Sequence, residues 1–402
     1  MSGNPKITDN VVPQLLRLSL VALVFNVGGG IITPALPLYA RTLGADYRDL
    51  GLIGAAHGIA YTGLTIPLGR ASDRLGRRTL LLFSALAMAI ATMCYLISRS
   101  VFGLILGKLL EAAGWAAFWP ALEAWVAEEF GRRAGTAMGV GYGSYAAAFV
   151  IGTSAAGFVM EAAGLRAPFM IYLSTALAAL GLLLATPIHR TTTEHLGDTD
   201  SVGLPTARMV SDGAARRQRL LAYGTGFVYV YGLGTVLSFL PAYAADRGLT
   251  PHAVGLLLGV YWGGRVVASF TAGRLSDRWG RRVILVPALL GSAVAGTLVA
   301  APLGPVLLFL GTLGLGIAAG ACAPTCVGLI ADHAAPEDRG IAMGLFESSC
   351  GVSFILSGFL GGHIAYALGP GVPYLLVGGL AAMWTPILAR QVSLHPIGRA
   401  DA

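Results

Sequence analysis

The sequence predicts an all-α membrane protein: twelve transmembrane helices in two six-helix bundles related as a parallel repeat, with the N- and C-termini cytoplasmic. The first observation is composition. Of 402 residues, 55% are hydrophobic and 12% charged, about half the charge of a typical soluble domain, and the mean hydropathy is +0.71. A soluble fold of this length cannot cover that much apolar surface with so few charges. Disordered, collagenous and disulfide-stapled secreted chains are excluded as well. The second observation is run length. Unbroken apolar stretches suit membrane helices of about 20 residues, and twelve of them use about 240 residues. A membrane β-barrel would instead alternate apolar and polar residues over strands of roughly ten. The third observation is an internal repeat, in which motifs recur 204 or 205 residues apart.

Spans 1 to 6 fall at 14–40, 48–70, 78–98, 101–128, 135–160 and 167–188. Span 1 follows a polar start, and its apolar run is too long for the core of a signal peptide. After span 6 a polar stretch runs from His189 to Arg219. It reads as a linker with a basic surface helix carrying Arg216, Arg217 and Arg219. Spans 7 to 12 follow at 219–245, 252–273, 282–301, 304–331, 340–366 and 371–390. The expected division is therefore an N-terminal bundle over 1–188, a cytoplasmic linker over 189–218 and a C-terminal bundle over 219–402. With both termini and the linker inside, twenty Lys and Arg lie on the inner side and five, Arg41, Arg48, Arg99, Arg166 and Arg247, on the outer. That bias sets the topology and accounts for the net charge of +7 without a nucleic-acid partner. Only Lys6 and Lys108 are lysines, and arginine, alanine and glycine are abundant. This points to a GC-rich prokaryotic genome, hence a multi-pass protein of a prokaryotic inner membrane, expected as a monomer. Cys94, Cys322, Cys326 and Cys350 lie in apolar runs and read as packing residues, with no metal site.

The repeat is detailed. Leu36-Pro37-Leu38-Tyr39-Ala40 recurs as Leu240-Pro241-Ala242-Tyr243-Ala244, and Pro120 matches Pro324, both at an offset of 204. Gly135-Thr136-Ala137-Met138-Gly139 recurs as Gly340-Ile341-Ala342-Met343-Gly344 at 205. Six spans per half keep the orientation of each copy, so the repeat axis lies along the membrane normal.

The loop after span 2, Gly69-Arg70-Ala71-Ser72-Asp73-Arg74-Leu75-Gly76-Arg77-Arg78, recurs after span 8 as Gly273-Arg274-Leu275-Ser276-Asp277-Arg278-Trp279-Gly280-Arg281-Arg282. Read physically, Gly69 and Gly76 permit close packing and a tight turn. Asp73 is placed to pair with Arg77 or to meet a helix N-terminus. These segments resemble the signature loop of the major facilitator superfamily. The resemblance implies that Asp73, Arg74 and Arg77, and at the second copy Asp277, Arg278 and Arg281, hold an outward-facing state through cross-half contacts at an inner gate. The plainer reading is topology plus a tight turn. Drug:proton antiporters of that family often carry Gly-Pro-x-x-Gly-Gly in span 5. Here the stretch reads Gly152-Thr153-Ser154-Ala155-Ala156-Gly157, and span 11 has Ser357-Gly358-Phe359-Leu360-Gly361-Gly362 at the related place. The small residues for helix packing remain and the proline does not. Span 4 has Lys108-Leu109-Leu110-Glu111-Ala112 where the family often has Arg-x-x-Gln-Gly. Span 1 offers Asn26 where its drug exporters often place an acid.

Ionisable residues at membrane depth are costly and usually pair or line an aqueous cavity. This chain has Lys108, Glu111, Glu123, Arg265 and Glu347, with His57 as a sixth. On a helix, Glu111, Trp115, Trp119 and Glu123 advance about 40° each, and Lys108 lies about 60° from Glu111. The expectation is one charged and aromatic stripe of span 4 facing the central cavity, which the resemblance assigns to spans 1, 4, 7 and 10. The alternative for Lys108 and Glu111 is a local ion pair. Arg265 and Glu347 each lie about eight residues from the inner ends of their spans and are expected to pair. Their repeat counterparts are Tyr61 and Tyr142. The proton-coupling candidates are thus Glu111, Glu123, Glu347 and His57. The substrate-cavity candidates are Asn26, Tyr61, Lys108, Trp115, Trp119, Tyr142, Trp262 and Arg265. A carboxylate in such a cavity can take a proton from one side and release it to the other. No phosphate-binding loop appears, and no cofactor is expected beyond protons as coupling ion. The expectation is a secondary active transporter working by alternating access, exporting small amphipathic compounds against protons across the lipid bilayer. Alternatives are proton-coupled uptake or exchange of a small organic anion or polar metabolite, lipid or lysolipid translocation, and a non-transporting membrane sensor or scaffold.

Overall fold

A computed structural model of the chain describes residues 11–130, 134–185, 213–335 and 338–392, with side chains described outside 11–18 and 127–142. The described residues form α1 (Val11–Thr42), α2 (Tyr47–Leu75), α3 (Arg77–Ile97), α4 (Val101–Phe130), α5 (Ala134–Ala163) and α6 (Ala167–Ala185). They continue with α7 (Gly213–Asp246), α8 (Pro251–Trp279), α9 (Arg281–Ala300), α10 (Pro305–His333), α11 (Arg339–Leu368) and α12 (Val372–Gln391). Most of the expected linker lies outside the described residues. Arg216, Arg217 and Arg219 belong to α7 itself and not to a separate surface helix.

Local chemistry sets the helix ends. Asp46 accepts from the backbone N–H groups of Arg48 and Asp49, and Asp49 accepts in turn from the Asp46 N–H. This reciprocal cap starts α2. Thr250 caps α8, with Pro251 at its first position, where a missing N–H costs nothing. Between α2 and α3 the chain turns on Gly76 alone, at φ 92°, and between α8 and α9 on Gly280, at φ 95°. Only glycine adopts such a φ without strain.

Eleven of the twelve helices are long and apolar enough to cross a membrane. The exception is α2, whose glycines, His57, Tyr61 and Thr62 face the opposite half, so it needs less apolar surface for lipid. Helices α1–α6 pack among themselves, as do α7–α12, and the two sets meet along α2/α11, α5/α8 and α1/α7. Glycines make these seams close. A Cβ at Gly358 would stand 2.7 Å from the Gly51 carbonyl oxygen, and one at Gly255 would stand 2.8 Å from that of Thr153. The small residues of the degraded span 5 and span 11 motifs are therefore the seam itself.

One face of the molecule is latched. Arg41 at the end of α1 donates to both carboxylate oxygens of Asp246 at the end of α7, at 2.9 and 3.0 Å, and the Tyr47 hydroxyl donates to the same carboxylate at 2.7 Å. Arg48 lies over the Tyr366 ring at 3.6 Å, and Glu161 accepts from the His252 N–H at 3.1 Å. All these contacts join the halves.

The opposite face carries the two gate motifs, and there the contacts of the described residues lie within each half. Arg77 reaches Ser72 at 3.1 Å and Asp73 at 2.5 Å; Arg281 reaches Ser276 and Asp277 at 2.6 Å and Asp332 at 3.0 Å. Arg74 and Arg278 are exposed. Among the described residues these pairs stay within their own half, and the halves meet at the other end of the molecule. Close packing is not what Gly69 does in this state either. Its nearest neighbour across the space of a Cβ is Pro120 at 3.9 Å, and Gly273 has none within 4 Å.

Candidate functional site

The charged stripe of α4 divides in two. Glu111 is 2% exposed and faces into the N-terminal bundle. It accepts from Lys108 at 2.9 Å, from the Tyr95 hydroxyl of α3 at 2.5 Å and from the Trp115 indole N–H at 3.3 Å. Trp115 is itself buried, with its ring 5.0 Å from Phe25 and 6.4 Å from Phe149. Asn26 is fully buried in α1 and donates to the Ala22 carbonyl at 2.6 Å. Glu111, Trp115 and Asn26 therefore lie inside the bundle and not on a cavity wall. The helix itself gives the reason. Three steps of about 40° turn Glu123 about 120° away from Glu111, so the two ends of the stripe face different neighbours.

The far end of the stripe reaches the seam. Trp119 packs edge-on to Tyr145 of α5, ring centres 5.2 Å apart. Glu123 is exposed and lies within the electrostatic field of Glu347 of α11. Tyr61 of α2 lies within the fields of both carboxylates. This cluster sits where the α2/α11 seam ends: Gly351, one helical turn from Glu347, still packs against Thr62, next to Tyr61. His57 lies one turn deeper in the closed part, between Tyr61 and Phe354, at 6.0 and 5.8 Å, and feels the charges of Lys108 and Glu111. The side chain of Tyr142 lies outside the described residues.

Arg265 and Glu347 do not form the expected ion pair. They lie on different seams, since α8 packs on α5 and α10 while α11 packs on α2 and α7. Tyr229 of α7 lies within the fields of both. Arg265 is instead surrounded by rings. Its guanidinium lies 5.1 Å from the Trp262 ring centre, and Tyr145, Tyr229 and Tyr261 surround it. Trp262 packs against Phe149 at 4.5 Å and Tyr145 at 5.9 Å, closing the α5/α8 seam just short of Arg265.

Sequence reasoning missed Tyr145, Phe149 and Phe354, because an aromatic in a membrane helix carries no sign of which neighbour it meets. It also missed the Arg41–Asp246 latch. That signal was available: the repeated Leu-Pro-x-Tyr-Ala motif places both residues just beyond equivalent tyrosines, with opposite charge.

Comparison with known proteins bears on this arrangement. The profile of the Major Facilitator Superfamily matches residues 18–223 and, separately, 222–400. The quinolone resistance protein NorA of Staphylococcus aureus is 28% identical over 167 residues, 42% of this chain and 43% of that protein, so the match spans less than half of that relative. An uncharacterized MFS-type transporter of Methanocaldococcus jannaschii is 22% identical over 348 residues, 85% of this chain and 88% of that protein. Among solved structures, a D-xylose-proton symporter superposes with a TM-score of 0.77 at 17% identity, over 96% of this chain and 99% of that one. The nucleoside transporter NupG gives 0.74 at 16% identity, over 94% and 98%. At these identities the structural likeness shows the fold.

Proposed function

The chain belongs to the major facilitator superfamily and is a multi-pass membrane transporter of a small molecule, and from that premise we propose that it exports amphipathic cations in exchange for protons. The observation that carries this reading is that Glu347 lies within the electrostatic field of Glu123, one residue from each half, near the end of the closed α2/α11 seam. Their mutual repulsion is relieved either by a proton or by a cationic substrate, and competition between the two is the essence of antiport. The rings of Trp119 and Tyr145 supply an apolar wall beside them, as an amphipathic ligand needs. The partial similarity to NorA, named for quinolone resistance, favours the same direction. The positive-inside count supports placing the gate motifs on the cytoplasmic side of an inner membrane. The state described here is then inward-facing, ready to load substrate from the cytoplasm.

The test uses inside-out vesicles carrying the protein, with a fluorescent lipophilic cation outside. An acid-inside gradient should drive accumulation. Glu123→Gln and Glu347→Gln should each abolish the response to the gradient. Accumulation that needs an alkaline lumen, or that survives both substitutions, overturns the reading. A second reading, proton-coupled uptake or exchange of an organic anion, draws on buried Arg265 and predicts the opposite dependence on gradient direction.

A further inference from the structure

We propose that one turn of α8, Tyr261 to Arg265, is a carboxylate-binding pole, and that the preferred substrate is a zwitterionic amphiphile whose carboxylate docks there while its ammonium group meets Glu123 and Glu347. The second half of this statement rests on the export reading above; the first does not. The Trp262 Nε1 and the Arg265 Nη1 are buried atoms without a hydrogen-bond partner, and the Tyr261 hydroxyl stands beside the same guanidinium. Arg265 lies against both rings of that turn, over Trp262 and beside Tyr261.

The charge accounting is unusual. The N-terminal half also carries a half-buried cation, Lys108, and gives it the buried Glu111 at 2.9 Å. Arg265 has no carboxylate within ion-pair distance among the described residues, and its surroundings are tyrosines and a tryptophan. A desolvated cation without an anion is the expensive arrangement. A planar anion is what a guanidinium fork and an indole N–H are shaped to receive. Rings around the fork favour an anion attached to an aromatic or aliphatic body over a small hydrated one. Tyr229 lies within the fields of both Arg265 and Glu347, so the two poles share a near neighbour. A single small molecule can therefore engage both.

The test is equilibrium binding to the purified full-length protein. It uses three probes on one bicyclic aromatic scaffold: an amino acid zwitterion, its methyl ester and its N-acetyl acid. The zwitterion should bind more tightly than the ester by about tenfold, the value of one charged hydrogen bond. Arg265→Gln should bring the zwitterion down to the ester's affinity and leave the ester unchanged. Trp262→Phe, which keeps a ring and removes the N–H, should lose part of the same preference. Arg265→Lys, which keeps the charge, should retain part of it and controls for folding. Equal weakening of ester and zwitterion by Arg265→Gln, or no preference in the parent protein, overturns the pole. The two readings fail separately. Cation export that depends on Glu123 and Glu347, with no discrimination through Arg265, sinks the pole alone. Discrimination through Arg265, with no accumulation under an acid-inside gradient, sinks the export reading alone.

Discussion

Tyr39 in the first half and Tyr243 in the second stand 204 residues apart and perform one task. Tyr39 donates to the Ser98 carbonyl at the end of α3 at 3.1 Å and receives Arg166 at 3.3 Å. Tyr243 donates to the Val299 and Ala300 carbonyls at the end of α9 at 3.1 Å and receives Arg247 at 3.3 Å. Arg77 and Arg281 repeat the same Ser and Asp contacts. The buried charges do not repeat. Lys108 and Glu111 correspond to Thr312 and Leu315, and Arg265 corresponds to Tyr61. Residues that hold helix ends and seams are shared by both halves, whereas residues that carry charge into the interior belong to one half only. That separates frame from site without reference to any ligand.

The largest expected effect tests the two buried cations against each other. In the first half, Glu111→Leu or Lys108→Met leaves its partner buried and alone, which should cost about 3 kcal/mol or more. The double replacement should recover most of that loss. Arg265→Met removes a cation that has no carboxylate partner, so the ligand-free protein should be as stable as the parent or more so. Chemical unfolding of detergent-purified variants measures all four. If Arg265→Met destabilises as much as Glu111→Leu, then both cations belong to the frame and the contrast between halves collapses.

A smaller effect is expected at the seam, where the halves should respond alike. Gly157 of α5 meets the Pro251 carbonyl and Gly362 of α11 meets the Tyr47 carbonyl, each at 2.7 Å from a hypothetical Cβ. Gly157→Ala and Gly362→Ala should each overpack this closed face by about 1–3 kcal/mol and shift the resting population toward the opposite state. Spin-label distances between the ends of α1 and α7 report that shift. Gly69→Ala should leave those distances unchanged, since Gly69 has open space in this state. A large difference between Gly157→Ala and Gly362→Ala would break the symmetry of the frame.

Most of the frame was legible because it is written in local terms. Apolar run length, the glycine turns at Gly76 and Gly280, and the repeat offset placed the helix ends close to those observed. The site was less legible because it depends on rotation and on neighbours. Depth along a helix put Arg265 and Glu347 at one level, but no count along the chain says that α8 and α11 lie on different seams. The α4 stripe looked continuous when taken four residues at a time, and only the accumulated turn sends Glu111 and Glu123 apart. The conformational state was not legible at all. The cross-half contact expected of the gate motifs is not seen among the described residues, and the latch at Asp246 comes from residues that look like ordinary helix ends.

The smallest expected effect is also the strictest test of the frame. Tyr39→Phe and Tyr243→Phe each remove a hydroxyl that donates to a helix-end carbonyl and receives an arginine, and each leaves the ring in place. The net loss should be about 1 kcal/mol in each case. The sites lie in different halves and share no partner, so the double variant should lose the sum. Transport should be unaffected, because neither hydroxyl reaches the cluster around Glu347. The exposure of the neighbouring charges separates this frame from the latch. The Arg41–Asp246 pair is 36% exposed on both sides and should therefore weaken as salt is raised, whereas Tyr39 and Tyr243 are nearly buried and should not. If unequal losses for Tyr39→Phe and Tyr243→Phe persist at high salt, one half is more than a copy of the other even in its frame. Equal losses confine the functional difference between the halves to the interior charges.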